Sequence, residues 1–209
     1  MARGSKNPKW GWLSKLLGWK NDKNGGRVVA EKCVEEALKS LGNSSVLKVA
    51  AICGSLSATS KNMGLVKAAI EIVEKSITGM EIELLDLSEV PLFNTDLIKD
   101  VHPEAVLTFR KKVYEADCLL FSTPEYVYSV PALLKNALEW ASLSPSVMKG
   151  KAAAVMSAGG ELGGARAQYQ LRQMGVYHDL YFVNKPEVFV KAYSSPKKFD
   201  ENGNLIDTD

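Results

Sequence analysis

The stretch VLKVAAICGSLSATSKN, residues 46–62, decides the fold. Its first part, residues 46–53, is an apolar run broken only by Lys48, as in a parallel strand that is buried on both faces. The rest, residues 54–62, is polar and leads into a helical pattern of apolar residues. A buried strand followed by a polar loop and a helix is the repeating unit of a parallel α/β sheet.

The same unit recurs through the rest of the chain. Apolar residues at helical spacing predict helices over residues 62–76, from Pro103 to 116, from Pro131 to 141 and over 164–174. Short apolar runs predict further strands at residues 81–87, 117–122, 151–157 and 180–184. The predicted fold class is therefore α/β, a doubly wound parallel sheet of five strands with helices on both faces. Ligands bind such sheets beyond the carboxyl ends of the strands, so we expect the site in the loops after strands one, three and four.

The loop after the first strand concentrates hydroxyl groups. Between Gly54 and Asn62 it carries four hydroxyl side chains, Ser55, Ser57, Thr59 and Ser60. Hydroxyls and backbone N–H groups at a helix N-terminus suit a phosphate group. The loop has neither the GxxxxGK[ST] nor the GxGxxG pattern. Because a helix cap needs only one such side chain, phosphate binding is favoured over an ordinary capped turn.

The loop after the third strand is aromatic. It reads TPEYVYSVP over residues 123–131, with two tyrosines between prolines. A planar ring could stack on this surface while backbone groups reach its polar edge. The same tyrosines could equally cover the core or a subunit contact, and the sequence leaves both interpretations open.

The loop after the fourth strand is rich in glycine. It reads SAGGELGGAR over residues 157–166, with two Gly-Gly pairs and Arg166 at the start of the next helix. Glycine pairs let the backbone approach a ligand closely, and the arginine could meet an anion. A flexible connection is the alternative, but it needs fewer glycines.

Residues 1–45 differ from the rest of the chain. Residues 1–30 carry seven Lys and Arg side chains against Asp22 alone. Within them, residues 10–20 place tryptophans and leucines at helical spacing among lysines, a pattern suited to a membrane surface or a partner groove. An extension that docks loosely or stays mobile is the favoured interpretation. We therefore predict a basic, partly helical extension over residues 1–45 and a globular domain over residues 46–209.

Composition excludes several classes of protein. No stretch of 18 apolar residues is present, and a net charge of +2 gives no argument for nucleic acid binding. The three cysteines form no CxxC pair, which favours a reducing, cytoplasmic location. The two histidines lie far apart at His102 and His178, so we expect no metal site.

Four motifs resemble the NADPH-dependent FMN reductase family, and most of all its plant-type NADPH:quinone oxidoreductases. GSLSATSKN, residues 54–62, is similar to the family pattern GSLRxxSxN. PEYVYSVPALLKNALEWAS, residues 124–142, is similar to PEYNxSxPxxLKNAxDWxS. SAGG, residues 157–160, matches the glycine-rich motif, and AQYQLRQMG, residues 167–175, is similar to SQYxLRQxG. The resemblance runs from about residue 47 to 207 and leaves out residues 1–45.

The resemblance implies a flavodoxin-like fold of strand order 2-1-3-4-5 with FMN at the switch point. It also implies hydride transfer from NADPH to FMN, reduction of a quinone in the same pocket, and a homotetramer or dimer. By position, Ser55, Ser60 and Asn62 would hold the FMN phosphate. Residues on the two sides of the ring system would be Pro124, Glu125, Tyr126, Ser157, Gly159 and Gly160. The flavin supplies the redox chemistry, so no catalytic triad or carboxylate pair is needed.

The sequence departs from the family motifs at two cofactor-site positions. Ser57 stands where the family has arginine, which replaces a charged fork with one hydroxyl. Val127 stands where the family has asparagine, which removes a side-chain donor. Lys61 offers a point charge in compensation. The alternative to an FMN-dependent reductase is therefore a non-catalytic flavodoxin-like protein with weakened FMN binding.

Overall fold

The computed structural model describes residues 46–98 and 102–207. The predicted extension, including residues 10–20, lies outside these ranges. The described strands are β1 (Leu47–Cys53), β2 (Met80–Leu84), β3 (Cys118–Ser122), β4 (Ala152–Gly159), β5 (Tyr181–Phe182) and β6 (Val188–Lys191). The described α-helices are α1 (Lys61–Ser76), α2 (Glu104–Glu115), α3 (Ala132–Ser142) and α4 (Ala165–Tyr177). A short 3₁₀-helix spans Thr95–Ile98.

The strands form one parallel sheet in the order β2-β1-β3-β4-β5. This order confirms the predicted flavodoxin-like fold, in which the chain switches direction across the sheet between β1 and β3. Helices pack on both faces because alternate residues of β1 point to opposite sides. Ala50 and Ile52 join the core formed with α2, α3 and α4, whereas Ala51 and Cys53 pack against α1.

The edge of the sheet differs from the prediction of five strands. β5 has only two residues and pairs with the start of β4, while β6 pairs with the end of β4 from Met156 to Gly159. Pro186, which has no N–H to donate to a sheet, lies between β5 and β6. One edge position is thus filled by two short strands, and β6 was not predicted. The second strand also ends at Leu84, three residues before the predicted boundary.

The main core lies between the sheet, α2 and α3. Trp140 of α3 is fully buried, and its indole N–H donates to the carbonyl of Pro91 at 2.7 Å. Phe93 packs edge-on against the Trp140 ring at 4.9 Å between centroids. These contacts hold the loop after β2 against α3. Among the described residues, no helix is long and apolar enough to cross a membrane.

His178, after α4, makes folding stability sensitive to acid. The residue is 5% exposed, and burial, followed by the charge of Lys135, lowers its pKa below the ordinary value of 6.5. The unfolded chain therefore binds a proton more readily than the folded chain. We expect the free energy of unfolding to fall as pH drops below about 6.5 and to level off below the folded-state pKa. Urea denaturation at several pH values measures this, and the dependence should weaken in His178→Gln but persist in His102→Gln. Equal profiles for the two variants would contradict the assignment.

Candidate cofactor site

The parallel register brings the three predicted loops to one edge of the sheet. Cys53, the last residue of β1, pairs with Ser122 of β3, which pairs with Met156 of β4. The loops that follow surround a cavity of about 230 Å³. Nine of the eleven predicted site residues line this cavity, namely Ser55, Ser57, Ser60, Asn62, Pro124, Glu125, Tyr126, Gly159 and Gly160. Val127 and Ser157 do not line it.

The first loop is shaped by serines that cap backbone groups. Ser60 is the N-cap of α1, and its hydroxyl accepts the N–H of Met63 at 3.2 Å. The Ser55 hydroxyl accepts the N–H of Ser57 at 3.3 Å. The first-turn N–H groups of Lys61 and Asn62 have no intrahelical acceptor, since a helix begins with unpaired donors. This loop therefore combines a helix N-terminus with hydroxyls, the chemistry that binds an anion.

Cys53 lies directly before this loop and is almost fully buried. Burial raises the pKa of its thiol, and this outweighs the opposing hydrogen bonds with Ser55 and Ser60. The side chain therefore stays neutral at physiological pH. A thiolate here would repel an anion bound by the neighbouring loop.

Asn62 joins the first loop to β4 rather than pointing its amide into the cavity. Its Nδ2 donates to the carbonyl of Ala158 at 2.9 Å, and its Oδ1 accepts the N–H of Ala158 at 2.9 Å. The Ser122 hydroxyl donates to the Asn62 carbonyl at 2.9 Å. One buried side chain thus fixes the relative position of the loops after β1 and β4. The prediction named the residue, and the structure gives its side chain this bridging arrangement.

Two neighbouring glycines of the glycine-rich loop have different surroundings. A Cβ on Gly159 would lie 2.8 Å from the backbone nitrogen of Gly164, so the loop can close only with glycine there. A Cβ on Gly160 would meet nothing within 4 Å. Ser157 is buried beneath the loop, where its hydroxyl donates to the Gly163 carbonyl at 2.6 Å and accepts from Gln168 Nε2 at 2.8 Å. Ser157 therefore holds the loop from below.

The aromatic loop is a tight hairpin turn. Tyr126 and Ser129 exchange backbone hydrogen bonds of 3.1 and 2.9 Å. The two residues between them, Val127 and Tyr128, have φ values of 52° and 59°. Positive φ at both central positions is the mark of a type I′ turn, which favours asparagine and glycine. The Val127 side chain is 99% exposed, so it projects away from the first cavity.

Arg166 ties this turn to the start of α4. Its backbone N–H donates to Glu125 Oε2 at 3.0 Å, and its guanidinium pairs with the same carboxylate at 2.5 Å. The guanidinium also lies over the Tyr128 ring, 3.9 Å from the centroid. A second cavity of about 380 Å³ opens beside this cluster and shares Glu125 and Gly160 with the first. The two cavities form a continuous polar and aromatic surface.

Val127→Asn should stabilise the protein. A β-branched residue in the left-handed region is strained, and asparagine tolerates that region better, so we expect a gain of about 1 kcal/mol in the free energy of unfolding. Val183 provides the matched control, because it is also exposed but lacks a positive φ. Urea denaturation of Val127→Asn and Val183→Asn measures the difference. If Val127→Asn raises the free energy of unfolding no more than Val183→Asn does, the backbone strain at Val127 is refuted.

Two cavity residues were missed from the sequence. Ala192 and Tyr193 follow β6 and reach the first cavity from the unpredicted edge strand. The Lys61 ammonium lies 4.4 Å from the centroid of the Tyr193 ring. Lys61 pairs with none of the carboxylates in the described ranges at salt-bridge distance. Its charge is therefore available to an anion at the helix N-terminus.

A sheet of this order, with its switch-point loops around one cavity, defines a protein of the flavodoxin-like class. The sequence pattern of NADPH-dependent FMN reductases matches residues 47–194. The chain is 56% identical over 163 residues to the NAD(P)H:quinone oxidoreductase of Solanum tuberosum, covering 78% of this chain and 84% of the relative. It is 51% identical over 163 residues to the NADPH:quinone oxidoreductase of Arabidopsis thaliana, covering 78% and 83%.

A solved structure agrees with these relatives. The flavoenzyme NAD(P)H:(acceptor) oxidoreductase of Paracoccus denitrificans superposes with a TM-score of 0.67 at 32% identity, covering 78% of this chain and 87% of that one. The chain belongs to the NADPH-dependent FMN reductase family. Within the described ranges, no cluster of three or more His, Cys, Asp or Glu side chains could hold a metal ion.

Proposed function

We propose that this protein is an FMN-dependent NAD(P)H:quinone oxidoreductase. It transfers a hydride from NADPH via FMN to a quinone, so that NADPH, a proton and the quinone yield NADP⁺ and the hydroquinone. The observation that carries the proposal is a polar switch-point cavity in a chain that is more than half identical, over 163 aligned residues, to two plant quinone oxidoreductases. The chemistry of the cavity supports FMN, because hydroxyls and a helix N-terminus meet an aromatic turn and an open glycine.

The start of α1 would hold the FMN phosphate. The donors there are the hydroxyls of Ser55, Ser57 and Ser60 and the first-turn N–H groups of Lys61 and Asn62. Lys61 supplies the positive charge that the family arginine would supply at position 57. Tyr193 keeps the Lys61 ammonium beside the cavity through their cation–π contact. The departure at Ser57 is thus compensated by a cation on the adjacent helix.

The aromatic turn and the glycine-rich loop would hold the ring system of FMN. Pro124, Glu125 and Tyr126 line one side, and Gly159 and Gly160 line the other. Ser157 supports the glycine-rich loop from beneath. Val127 lies at the rim of the second cavity. Having valine rather than the family asparagine here therefore leaves the phosphate end of the first cavity unchanged. Bound FMN supplies the hydride-accepting and hydride-donating chemistry, so the protein itself needs no nucleophile or acid–base pair.

The second cavity gives NADPH and the quinone a place beside the flavin. It is lined by Tyr128, Leu162 and the Glu125–Arg166 pair. Tyr128 and Leu162 offer apolar surface to a planar ring, and the ion pair holds the turn in place. Because the two substrates would use one cavity, NADP⁺ must leave before the quinone binds. Competition between NADPH and the quinone in steady-state kinetics is the expected signature.

Three further features belong to the proposal. The protein acts as a homo-oligomer in the cytoplasm, and the free thiols of Cys53 and Cys118 support a reducing compartment. The chain divides into a basic N-terminal extension over residues 1–45 and the reductase domain over residues 46–209. Residues 10–20 of that extension provide a peripheral contact with a membrane or a partner.

The test is NADPH oxidation by the full chain with a benzoquinone as acceptor, with and without added FMN. We expect NADPH consumption that requires both FMN and the quinone, with one NADPH consumed per hydroquinone formed. Replacing NADPH with NADH measures the nucleotide preference. A folded protein that binds no FMN and oxidises no NADPH would favour the non-catalytic alternative suggested by Ser57.

A further inference from the structure

Residues 195–207 form a small hairpin, which we term the C-terminal arm. The family sequence pattern matches residues 47–194, and the arm follows the residues matched by that pattern. Phe199 and Leu205 pair across the hairpin. The Asp200 carboxylate accepts the backbone N–H groups of Asn202 and Asn204 at 2.9 and 2.8 Å. These bonds give the arm a defined conformation of its own.

The arm is anchored to the domain by one aromatic side chain. Phe199 is 1% exposed and packs in a cluster with Leu65 of α1, Ala158 of β4 and Ala192. Ala158 is the residue whose backbone is bridged by Asn62. The anchor therefore contacts the same two elements that carry the walls of the first cavity.

The tip of the arm contacts the first loop, which follows β1, and the contact is between backbone atoms. Gly203 has a φ of +82°, and a Cβ there would lie 2.4 Å from the Thr59 carbonyl oxygen and 3.0 Å from the Ser60 carbonyl carbon. From the other side, a Cβ on Gly64 of α1 would lie 1.9 Å from the Gly203 carbonyl oxygen. Neither Gly203 nor Gly64 has room for a side chain, so the tip lies directly against the turn that carries the Ser60 cap.

We infer that the C-terminal arm is a positioning element for FMN, with Gly203 as its contact point. The inference rests on the proposed function. An anion-binding loop gains affinity when its donors are already ordered, because ordering them on binding opposes association. The arm supports Thr59 and Ser60 from outside the cavity and so fixes the donors at the start of α1. Its effect falls on the phosphate end of FMN and not on the ring system.

The experiment compares FMN with riboflavin, which has the same ring system but no phosphate. The full-length apoprotein is titrated with each flavin, and flavin fluorescence reports binding. Gly203→Ala is expected to weaken FMN binding at least about tenfold and to leave riboflavin binding unchanged. Gly79→Ala is the matched control, because Gly79 has a φ of +83° but no atom within 4 Å of the place that a methyl group would occupy. It shares the backbone strain without the contact, so its FMN affinity should match the wild type.

The outcomes separate this inference from the proposed function. A wild-type protein that binds no FMN overturns the proposed function and the arm's role with it. If the wild type binds FMN, equal affinity in Gly203→Ala, or an equal loss for both flavins, overturns the arm's role alone. Should Gly203→Ala fail to fold, Asp200→Ala decides the matter, since it weakens the hairpin without adding an atom near Thr59. It should lower the ratio of FMN to riboflavin affinity about threefold, and an unchanged ratio overturns the inference.

Discussion

Asn62→Ala is expected to lower the free energy of unfolding by about 2–4 kcal/mol and the affinity for FMN at least about tenfold. The N–H and carbonyl of Ala158 both lose their Asn62 partner, and both groups lie in the buried end of β4. The loops after β1 and β4 would then no longer be held together. Urea denaturation of the apoprotein and flavin titration measure the two effects.

Asn136→Ala is the matched control for Asn62→Ala. The Asn136 amide makes the same type of bridge, since it accepts the N–H of Phe93 at 2.7 Å and donates to the carbonyl of Pro91 at 2.9 Å. It is also buried, but it joins α3 to the loop after β2. We expect Asn136→Ala to lower stability without weakening FMN binding once the protein is folded. If both variants lose FMN affinity equally, the bridge at Asn62 has no special role in the site.

Gly159 and Gly160 should separate folding from binding. Gly159→Ala forces a methyl group against the backbone of Gly164 and is expected to lower the free energy of unfolding by about 1–3 kcal/mol. Gly160→Leu places its side chain in open space that both cavities share, so stability should change by no more than about 0.5 kcal/mol. The leucine would occupy the space assigned to the ring system, and FMN affinity should fall at least about tenfold.

The same two measurements decide this second prediction. Denaturation should rank Gly159→Ala well below Gly160→Leu in stability, while titration should leave Gly160→Leu with little FMN binding. A Gly160→Leu variant that binds FMN with wild-type affinity would show that the flavin does not occupy the space beside Gly160. The assignment of the first cavity would then have to change.

The central strands and helices were predictable because each is long and strongly patterned. The apolar run of β1 and the helical spacing in α1 carry enough residues to distinguish strand from helix. The strands at the edge of the sheet were harder to predict. β5 and β6 have two and four residues, and Pro186 separates them, so neither shows a periodic pattern. Two strands in one edge position could not be read from segments this short.

The position of the site was predictable, but the roles of its side chains were only partly so. The motifs marked which loops converge, because their place after successive strands fixes them at one edge of the sheet. Whether a side chain faces the cavity or the interior depends on packing across the sheet. Asn62 bridges to Ala158 and Ser157 lies beneath its loop for this reason, at a separation of 96 residues in the first case.

The contribution of the C-terminal residues was missed for a related reason. Tyr193 reaches the cavity only because β6 exists, and β6 was not predicted. The arm did carry one local signal. Asn202-Gly203 is a dipeptide typical of hairpin turns, and it stands between residues that pair across the arm. Its contact with Thr59, however, joins segments far apart in the chain and has no local signature.

Titration of the full-length apoprotein with FMN tests the central claim most directly. The cavity at the ends of β1, β3 and β4 should bind one FMN per chain with a dissociation constant of about 1 μM or below. Binding should quench or shift the flavin signal and should weaken at least about tenfold in Gly160→Leu. A folded protein that shows no saturable binding up to about 100 μM FMN would contradict the claim, and with it the assignment of the family's cofactor to this chain.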